Sequence, residues 1–562
     1  MSMSPRLIAA VVAVLAAGVL IGVLIAGGGD DDGGGGTAEK TVPAIGPGPF
    51  SPQLDFIEPP ELAVGDGPVE LEARNGRILV SDVKVSEAQS YVPVGASEVA
   101  EEPGLLGPTL TIDPGETLDI TLDNQLTVPP GITGHSAETC GGADHPGGDP
   151  AGEHGDAPTT GPQFTNLHFH GLHVTPTTRR EEGVRVFGDN VLLDAPKGTS
   201  RFRFKIPPDH ELGTFWYHAH RHGCTDDQVF RGLAGMLIIG DSRTELPEPY
   251  REVSERVLAL KDIQVEPQPE PDGSHAIPAD HDWANPTHRT VNGRVNPKMS
   301  IRPGETQLWR VANVSSALWY QVALVNPAAD DNPDQFTVVA QDGNTLERGR
   351  TEDGVLLAPG ERVDVLVKGP ESGTRVLKTL PFDQGRLVFG EDTLATLEVK
   401  DEAAPALPEL GPLSPRLRPF PKPRGEDRRF VFDIKGQGPN KPPLFTINGR
   451  VFDPSPDSPP LAEPELRTTE TWTLLNRSGE YHPFHIHQDD FRVVSINDKP
   501  VDEGSKMDVI PLPPLVNGKP GKVVIEMPFQ DFDGKFVFHC HILDHEDGGM
   551  MGRVDLAPAA PN

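Results

Sequence analysis

Basic residues are scarce in this chain of 562 residues: 49 Lys and Arg stand against 83 Asp and Glu, a formal net charge of −34. A phosphate-binding surface needs the opposite balance, which argues against a nucleic-acid partner. The acidity favours solubility and names no ligand. Cysteine is scarcer still, with Cys140, Cys224 and Cys540 only. An odd count in an exported protein leaves one thiol to be explained. Hydrophobic residues make up 36% of the chain, and apolar helical periodicity is hard to find after residue 36, which argues against a helix-rich fold. What is abundant is turn chemistry: 60 Pro and 60 Gly, with stretches such as residues 109–122 and 200–206 alternating apolar and polar residues. That combination predicts short strands joined by turns, an all-β protein. At roughly 100–200 residues per domain the length predicts three or four domains, each able to bury a core.

The one long apolar run is at the N-terminus. Arg6 precedes residues 7–26, whose 20 residues are enough to cross a bilayer as a helix. No A-x-A-like cleavage site follows, and no cysteine near the end of the run offers a site for a lipid, so an uncleaved anchor fits better than a cleaved signal. Residues 27–36, Gly-rich with Asp30, Asp31 and Asp32, read as a flexible tether. Positive charge before the span and acid after it put the bulk of the chain outside the cytoplasm. The protein is expected to be secreted or held on the outer face of the cytoplasmic membrane.

Three stretches look like copies of one unit. Pro108-Thr-Leu-Thr-Ile-Asp-Pro-Gly-Glu-Thr117 runs on to Asn124. Pro297-Lys-Met-Ser-Ile-Arg-Pro-Gly-Glu-Thr306 is followed by Trp309 and Asn313. Pro464-Glu-Leu-Arg-Thr-Thr-Glu-Thr471 is followed by Trp472 and Asn476. The second and third are preceded by Asn-Gly-Arg turns at Asn292 and Asn448. A spacing near 200 residues is too long for a solenoid and implies homologous β-domains. The expected division is an anchor and tether over 1–36, domains over 37–245, 246–402 and 426–562, and a Pro-rich linker over 403–425.

Nineteen histidines scattered over 562 positions would give fewer than one His-x-His pair; this chain has five: His168/His170, His218/His220, His220/His222, His485/His487 and His539/His541. On a strand, residues i and i+2 share a face, so each pair presents two imidazoles side by side. Imidazole suits copper, zinc, iron and nickel, whereas the carboxylate sets that calcium or magnesium need are missing. Eight nitrogens from the four main pairs exceed what one ion can use and predict a metal cluster. His135, His145 and His154 sit in a Gly/Pro-rich loop without strand pattern and read as surface residues. The segment His539-Cys540-His541-Ile-Leu-Asp-His545-Glu546 is the sharpest. Cys540 points opposite to its neighbours on a strand, so its thiolate can bind one metal while His539 and His541 reach others behind it. With His482, His545 and Met550 it makes a set of two His, one Cys and a weak axial Met, the blue-copper arrangement. A structural zinc site would have no use for the Met.

These segments, His168-Phe-His170-Gly, Trp216-Tyr-His218-Ala-His220, His482-Pro-Phe-His485-Ile-His487 and His539-Cys-His541 with His545 and Met550, resemble in order the four copper-binding motifs of the multicopper oxidase family, in its three-domain laccase-like bacterial form. The resemblance spans residues from about 100 to 555 and fills all twelve ligand positions. It implies three cupredoxin-like Greek-key β-sandwich domains and four copper ions. By resemblance, type 1 copper takes His482, Cys540, His545 and Met550, and type 2 takes His168 and His485. One type 3 ion takes His170, His218 and His541, the other His220, His487 and His539. The middle domain gives no ligand, and His173 and His222 are left as supporting or surface residues. The resemblance also implies the reaction, electrons taken singly from a reducing substrate and passed by way of Cys540 to O₂, which is reduced to water. Protons must come from carboxylates near the cluster. Glu546 matches the family's acid beside the last motif. Asp189 looks like the second, across a segment, residues 177–186, that is longer and more basic than in typical relatives.

The implied partners are O₂ and a small reductant, aromatic or a metal ion. Only eight methionines, with no cluster beyond Met550/Met551, favour a laccase-like oxidase of phenols or aromatic amines over a cuprous oxidase for copper tolerance, since soft thioethers suit Cu(I). A nitrite reductase of two domains would lack the cluster motifs, and a non-enzymatic scaffold would have lost ligands. With Cys540 on copper, Cys140 and Cys224 are expected to pair as a disulfide in an oxidising compartment.

Overall fold

The protein is described by a computed structural model covering residues 40–42, 48–65, 67–94, 103–127, 164–279, 281, 285–416, 420–437, 442–501 and 506–557. The N-terminal apolar run, the tether, His135, His145, His154 and Cys140 lie outside the described residues. Among the described residues the fold is almost entirely β, with two short α-helices, Thr225–Arg231 and Leu543–Asp547. The expected all-β class holds.

Most strands form six large sheets, in three successive pairs along the chain. The first pair has seven and five strands, the second six and six, and the third seven and four. In each pair the first long strand runs parallel to the strand of the repeat: Val69–Val80 beside Thr117–Asn124, Ser254–Ile263 beside Thr306–Asn313, and Asp427–Lys435 beside Thr468–Asn476. Alternate residues of both sheets in the first pair close on one core around Leu71, Leu118, Phe202, Leu110, Tyr217 and Leu237, all buried.

The repeat has a physical basis. Glu116 and Glu305 each accept the backbone N–H three residues earlier, from Asp113 and Arg302, at 2.9 Å. Each closes a turn whose glycine, Gly115 or Gly304, has positive φ. At the far end of the strand stands a buried asparagine, Asn124, Asn313 or Asn476. Each accepts the N–H two residues on, from Leu126, Ser315 and Ser478, an Asx turn. Their amides donate across to carbonyls of Ala195, Leu357 and Leu512. The Asn-Gly-Arg motifs form two-residue hairpins: Val291 and Arg294, like Ile447 and Arg450, exchange backbone hydrogen bonds, with positive φ at Asn292, Gly293, Asn448 and Gly449.

Two short strands cross between sheet pairs. His275–Ala276 adds to the first pair beside Val85 and Ser86, and Lys40–Val42 pairs with Leu387–Phe389. Residues 403–416 contain no strand or helix, and Leu413 among them is buried against the core.

Candidate metal centre

Four strands carry the histidine motifs to one place. His168–His170 pairs antiparallel with Gly213–His218, setting Trp216 opposite His170 and His218 opposite His168. His482–Ile486 pairs antiparallel with Gly534–Cys540, setting Phe484 opposite Cys540 and His485 opposite His539. Between the two histidines of the first motif, Phe169 points the other way, into the core. His220 lies just past its strand and is pinned by Asn166, which accepts its N–H at 2.6 Å and donates to its carbonyl at 2.9 Å. Rings from the two halves stack face to face, His168 on His487 at 3.9 Å and His170 on His485 at 3.8 Å.

Ligand atoms cluster in groups: His168, His170 and His485; His170, His218 and His541; His220, His487 and His539; and His482, Cys540 and His545. The structure thus brings together all the predicted histidines and Cys540, none more than 1% exposed. In the third group His539 Nε2 lies 3.1 Å from His220 Nε2 and 3.3 Å from His487 Nε2.

The chemistry of the donors fits a metal. Burial holds every one of these rings below its ordinary pKa, and neighbouring histidines add to it at all but His539 and His545. They are neutral, the form that binds a cation. Several rings have one nitrogen fixed as a donor: His218 Nδ1–H to the carbonyl of Ala219, His485 Nδ1–H to that of Asp508 and His539 Nδ1–H to that of Cys540, at 2.9 to 3.0 Å. The opposite nitrogen is then a lone pair aimed inward. The inward nitrogens of His168, His170, His218 and His485, and both of His541, have no hydrogen-bond partner. Buried polar atoms are rarely left so, and a cation is what these lone pairs suit.

The fourth group stands apart. Cys540 Sγ lies 3.4 Å from His482 Nδ1 and 3.7 Å from His545 Nδ1, and the two Nδ1 atoms are 3.3 Å apart. Ser478 Oγ, 2.7 Å from His482 Nε2, orients that ring, and Phe445 stacks on His545 at 4.5 Å. Burial pushes the Cys540 thiol well above its ordinary range, with Glu480, Asp544 and Glu546 adding to the push, so a thiolate here needs a metal cation beside it. Met550 is fully buried, and its backbone brackets the site: its carbonyl accepts the Cys540 N–H and its N–H donates to His545.

Sequence models of the multicopper oxidase family match residues 160–244 and 427–560, the two segments that supply these groups. The chain belongs to the multicopper oxidase family. It is 26% identical over 465 residues to a multicopper oxidase, mco, of Staphylococcus aureus, covering 80% of this chain and 82% of that one. It is 26% identical over 442 residues to a laccase of Bacillus subtilis (strain 168), covering 72% and 82%. Among solved structures it is similar to the McoA multicopper oxidase of Aquifex aeolicus, with TM-score 0.69, 20% identity and coverage of 91% of this chain and all of that one. Membership makes this chain an oxidoreductase that uses O₂ and copper.

The two predicted carboxylates both reach the histidines of this multicopper oxidase. Asp189 lies with its oxygens 3.0 and 3.1 Å from His168 Nδ1. The intervening segment does not displace it, because residues 179–187 fold into a hairpin, Arg179–Glu181 against Val184–Phe187. The Asp189 N–H then returns to the Thr175 carbonyl at 3.0 Å. Glu546 accepts from Thr225 Oγ1 at 3.0 Å and lies 3.5 Å from both His220 Nδ1 and His539 Nδ1. Burial raises both acids well above the ordinary carboxylate range.

Three residues near the centre were not anticipated. Asp547 accepts the N–H groups of Gly223, Thr225 and Asp226 and so caps the helix Thr225–Arg231 from the other half of the molecule. Asp508 and Arg362 lie beside His170. Asp547 adjoins a motif and was within reach of sequence reasoning; Asp508 and Arg362 carry no local signal. Among the unassigned residues, His173 sits between Asp489 and Asp531 at 3.1 and 2.7 Å, and His222 packs on Phe452. Neither is in the four groups above. Cys540 is free and Cys224 is disulfide-bonded.

Proposed function

We propose that this multicopper oxidase is laccase-like, oxidising phenols or aromatic amines one electron at a time and reducing O₂ to water. The observation that carries the reading is the position of Cys540: its sulfur belongs to one ligand group, while its chain neighbours His539 and His541 belong to two others. Electrons therefore have a route of a few covalent bonds from one group to the rest. Four copper ions, a type 1 at His482, Cys540, His545 and Met550, a type 2 at His168 and His485, and a type 3 pair at His170, His218, His541 and His220, His487, His539, would supply the one-electron redox steps. The protein's own part is positioning and proton supply. Hydrogen bonds to Ala219, Asp508, Cys540 and Ser478 fix ring orientation before any metal arrives. Glu546 and Asp189, with raised proton affinity, hold protons at their carboxyl oxygens close to where O₂ is reduced. The dense burial of the histidines keeps bulk water away.

The reading as three cupredoxin domains with boundaries near 245 and 403–425 rests on the repeat and on the three sheet pairs. An extracytoplasmic location, secreted or anchored by residues 7–26, rests on the N-terminal sequence alone. The second reading, a metal-ion oxidase, would use an acid to draw a cationic donor toward the type 1 ring; Glu480 Oε2 lies 4.0 Å from His545 Nε2, but it is buried and pairs with Arg386 at 3.5 Å, which weakens that reading. The two are separated by steady-state oxidation of a panel of phenols and aromatic amines against Cu(I) on copper-loaded enzyme. A kcat/KM for Cu(I) above that of every phenol and amine would replace the laccase-like reading with the second.

A further inference from the structure

We propose that the middle sheet pair, which supplies no metal ligand, positions the trinuclear histidines through Arg362, and that Asp508 is the part it holds. The proposal rests on the ligand assignment given under Proposed function. Arg362 is fully buried. Its guanidinium donates two parallel hydrogen bonds to Asp508, Nη1 to Oδ1 at 2.6 Å and Nη2 to Oδ2 at 2.7 Å. The bidentate geometry fixes the carboxylate in plane and direction. Its Nε donates to the Thr214 carbonyl at 3.3 Å, and its guanidinium carbon lies 5.6 Å from the Phe215 ring centre. The Arg362 backbone N–H donates to Asp342, whose other oxygen accepts the Val509 N–H. One cation thus ties all three sheet pairs together beside the cluster.

What it holds decides which nitrogen of two rings faces the metal. Asp508 Oδ1 lies 3.1 Å from His170 Nε2, taking that N–H and leaving Nδ1 as the inward lone pair. The carbonyl of the same residue accepts His485 Nδ1–H at 2.9 Å, leaving Nε2 inward. Asp508 therefore sets opposite tautomers on two stacked rings, one with its side chain and one with its backbone. A rotated carboxylate would leave His170 free to turn the wrong nitrogen inward.

Two glycines record how close this approach is. A β-carbon at Gly171, directly after the first motif, would collide with both Arg362 and Asp508; one at Gly360 would press on the rings of His170 and His541 at 3.0 and 3.1 Å. Both have positive φ.

The test uses the full chain with copper, comparing wild type with Asp508→Asn and Arg362→Lys. Asp508→Asn is nearly isosteric and removes the charge that Arg362 meets; Arg362→Lys keeps a cation but not the two parallel bonds. Read out are copper per chain after dialysis against a graded chelator, the paramagnetic resonance spectrum of type 2 copper, and the thiolate-to-copper band of type 1. In Asp508→Asn, retention at the trinuclear group is expected to weaken by roughly 10–100-fold and the type 2 spectrum to change, while the type 1 band stays, since Arg362 and Asp508 touch none of its ligands. Arg362→Lys should fall between this variant and wild type. Folded variants with wild-type copper retention and type 2 spectrum would overturn the positioning role, as would failure of both to fold, which would make the pair purely structural. A wild-type chain that binds copper without type 2 or type 3 signals would instead overturn the ligand assignment itself.

Discussion

His220 and His539, one from each end of the chain, meet Nε2 to Nε2 at 3.1 Å. His539 carries its proton on Nδ1, toward the carbonyl of Cys540, so its Nε2 is a lone pair, and burial holds both rings neutral. With the His220 proton on Nδ1, the side that faces Glu546, two lone pairs would meet there and repel unless a cation lay between them. A cation bound there would join the two halves of the molecule.

Copper removal should accordingly lower thermal stability. A ligand present at 1,000 times its Kd adds about 4 kcal/mol to the folded state. Scanning calorimetry of loaded and chelator-stripped protein should show a lower Tm after stripping. Equal Tm values would mean that the histidines are preorganised by the protein alone.

Replacing Cys540 with Ser should abolish the blue colour and turnover while leaving the fold intact. A hydroxyl in place of the thiol changes little volume in this fully buried site, but only a thiolate gives the charge-transfer band and only this residue joins the ligand groups. Absorption spectra and oxygen consumption decide it; a blue, active Cys540→Ser protein would sink the electron route.

Ser478→Ala should weaken type 1 copper alone. The hydroxyl donates to Asn476 Oδ1 at 2.8 Å, so toward His482 Nε2 it accepts. It thereby holds the proton on Nε2 and the lone pair on Nδ1. Its loss should cost about 1 kcal/mol of stability and roughly 10–100-fold in type 1 copper affinity. Titration with a chelator, followed at the charge-transfer band and by total copper, separates the sites; trinuclear copper lost in step with the band would refute the local role.

The candidate centre was legible in the sequence because its histidines come as local patterns. A strand's period of two turns each His-x-His pair into two inward rings, and the same period sets Cys540 against its neighbours. Asp189 was less legible, since its distance from His168 along the chain is taken up by a hairpin, and a hairpin insertion leaves its end points in place. Arg362 and Asp508 were not legible. They stand 146 positions apart and Asp508 stands 338 from His170, and a single buried ion pair leaves no periodic trace. Likewise the repeat points to three β-units through its side chains, whereas the pairing of His275–Ala276 with the first sheet is two residues of backbone with no side-chain signature.

Met550→Leu should keep the protein blue and raise the type 1 potential. Losing a weak thioether donor destabilises Cu(II) relative to Cu(I), and leucine is close enough in volume to fill the buried site. Redox titration of the blue band measures it. An unchanged potential would shift the axial role to Met551, the next residue and also buried.

The last prediction concerns Cys224. It is buried at the start of the helix Thr225–Arg231, four residues after His220, and is disulfide-bonded, while Cys540 is free. With three cysteines in the chain, Cys140 is the expected partner, tying the Gly- and Pro-rich stretch over 131–161 to the strand end beside the cluster. The bond would close 84 residues, and loop-closure entropy puts its stabilisation at roughly 4 kcal/mol, reduced by any strain in the native state. Cys140→Ser should therefore lower Tm and free one thiol at Cys224 without changing copper content, because Cys224 is in none of the four ligand groups described above. Intact mass after alkylation of folded protein, with and without reductant, checks the pairing: the wild type should take up no label at Cys140 or Cys224 until reduced. Ready alkylation of both in air-purified protein would show that the loop is held some other way.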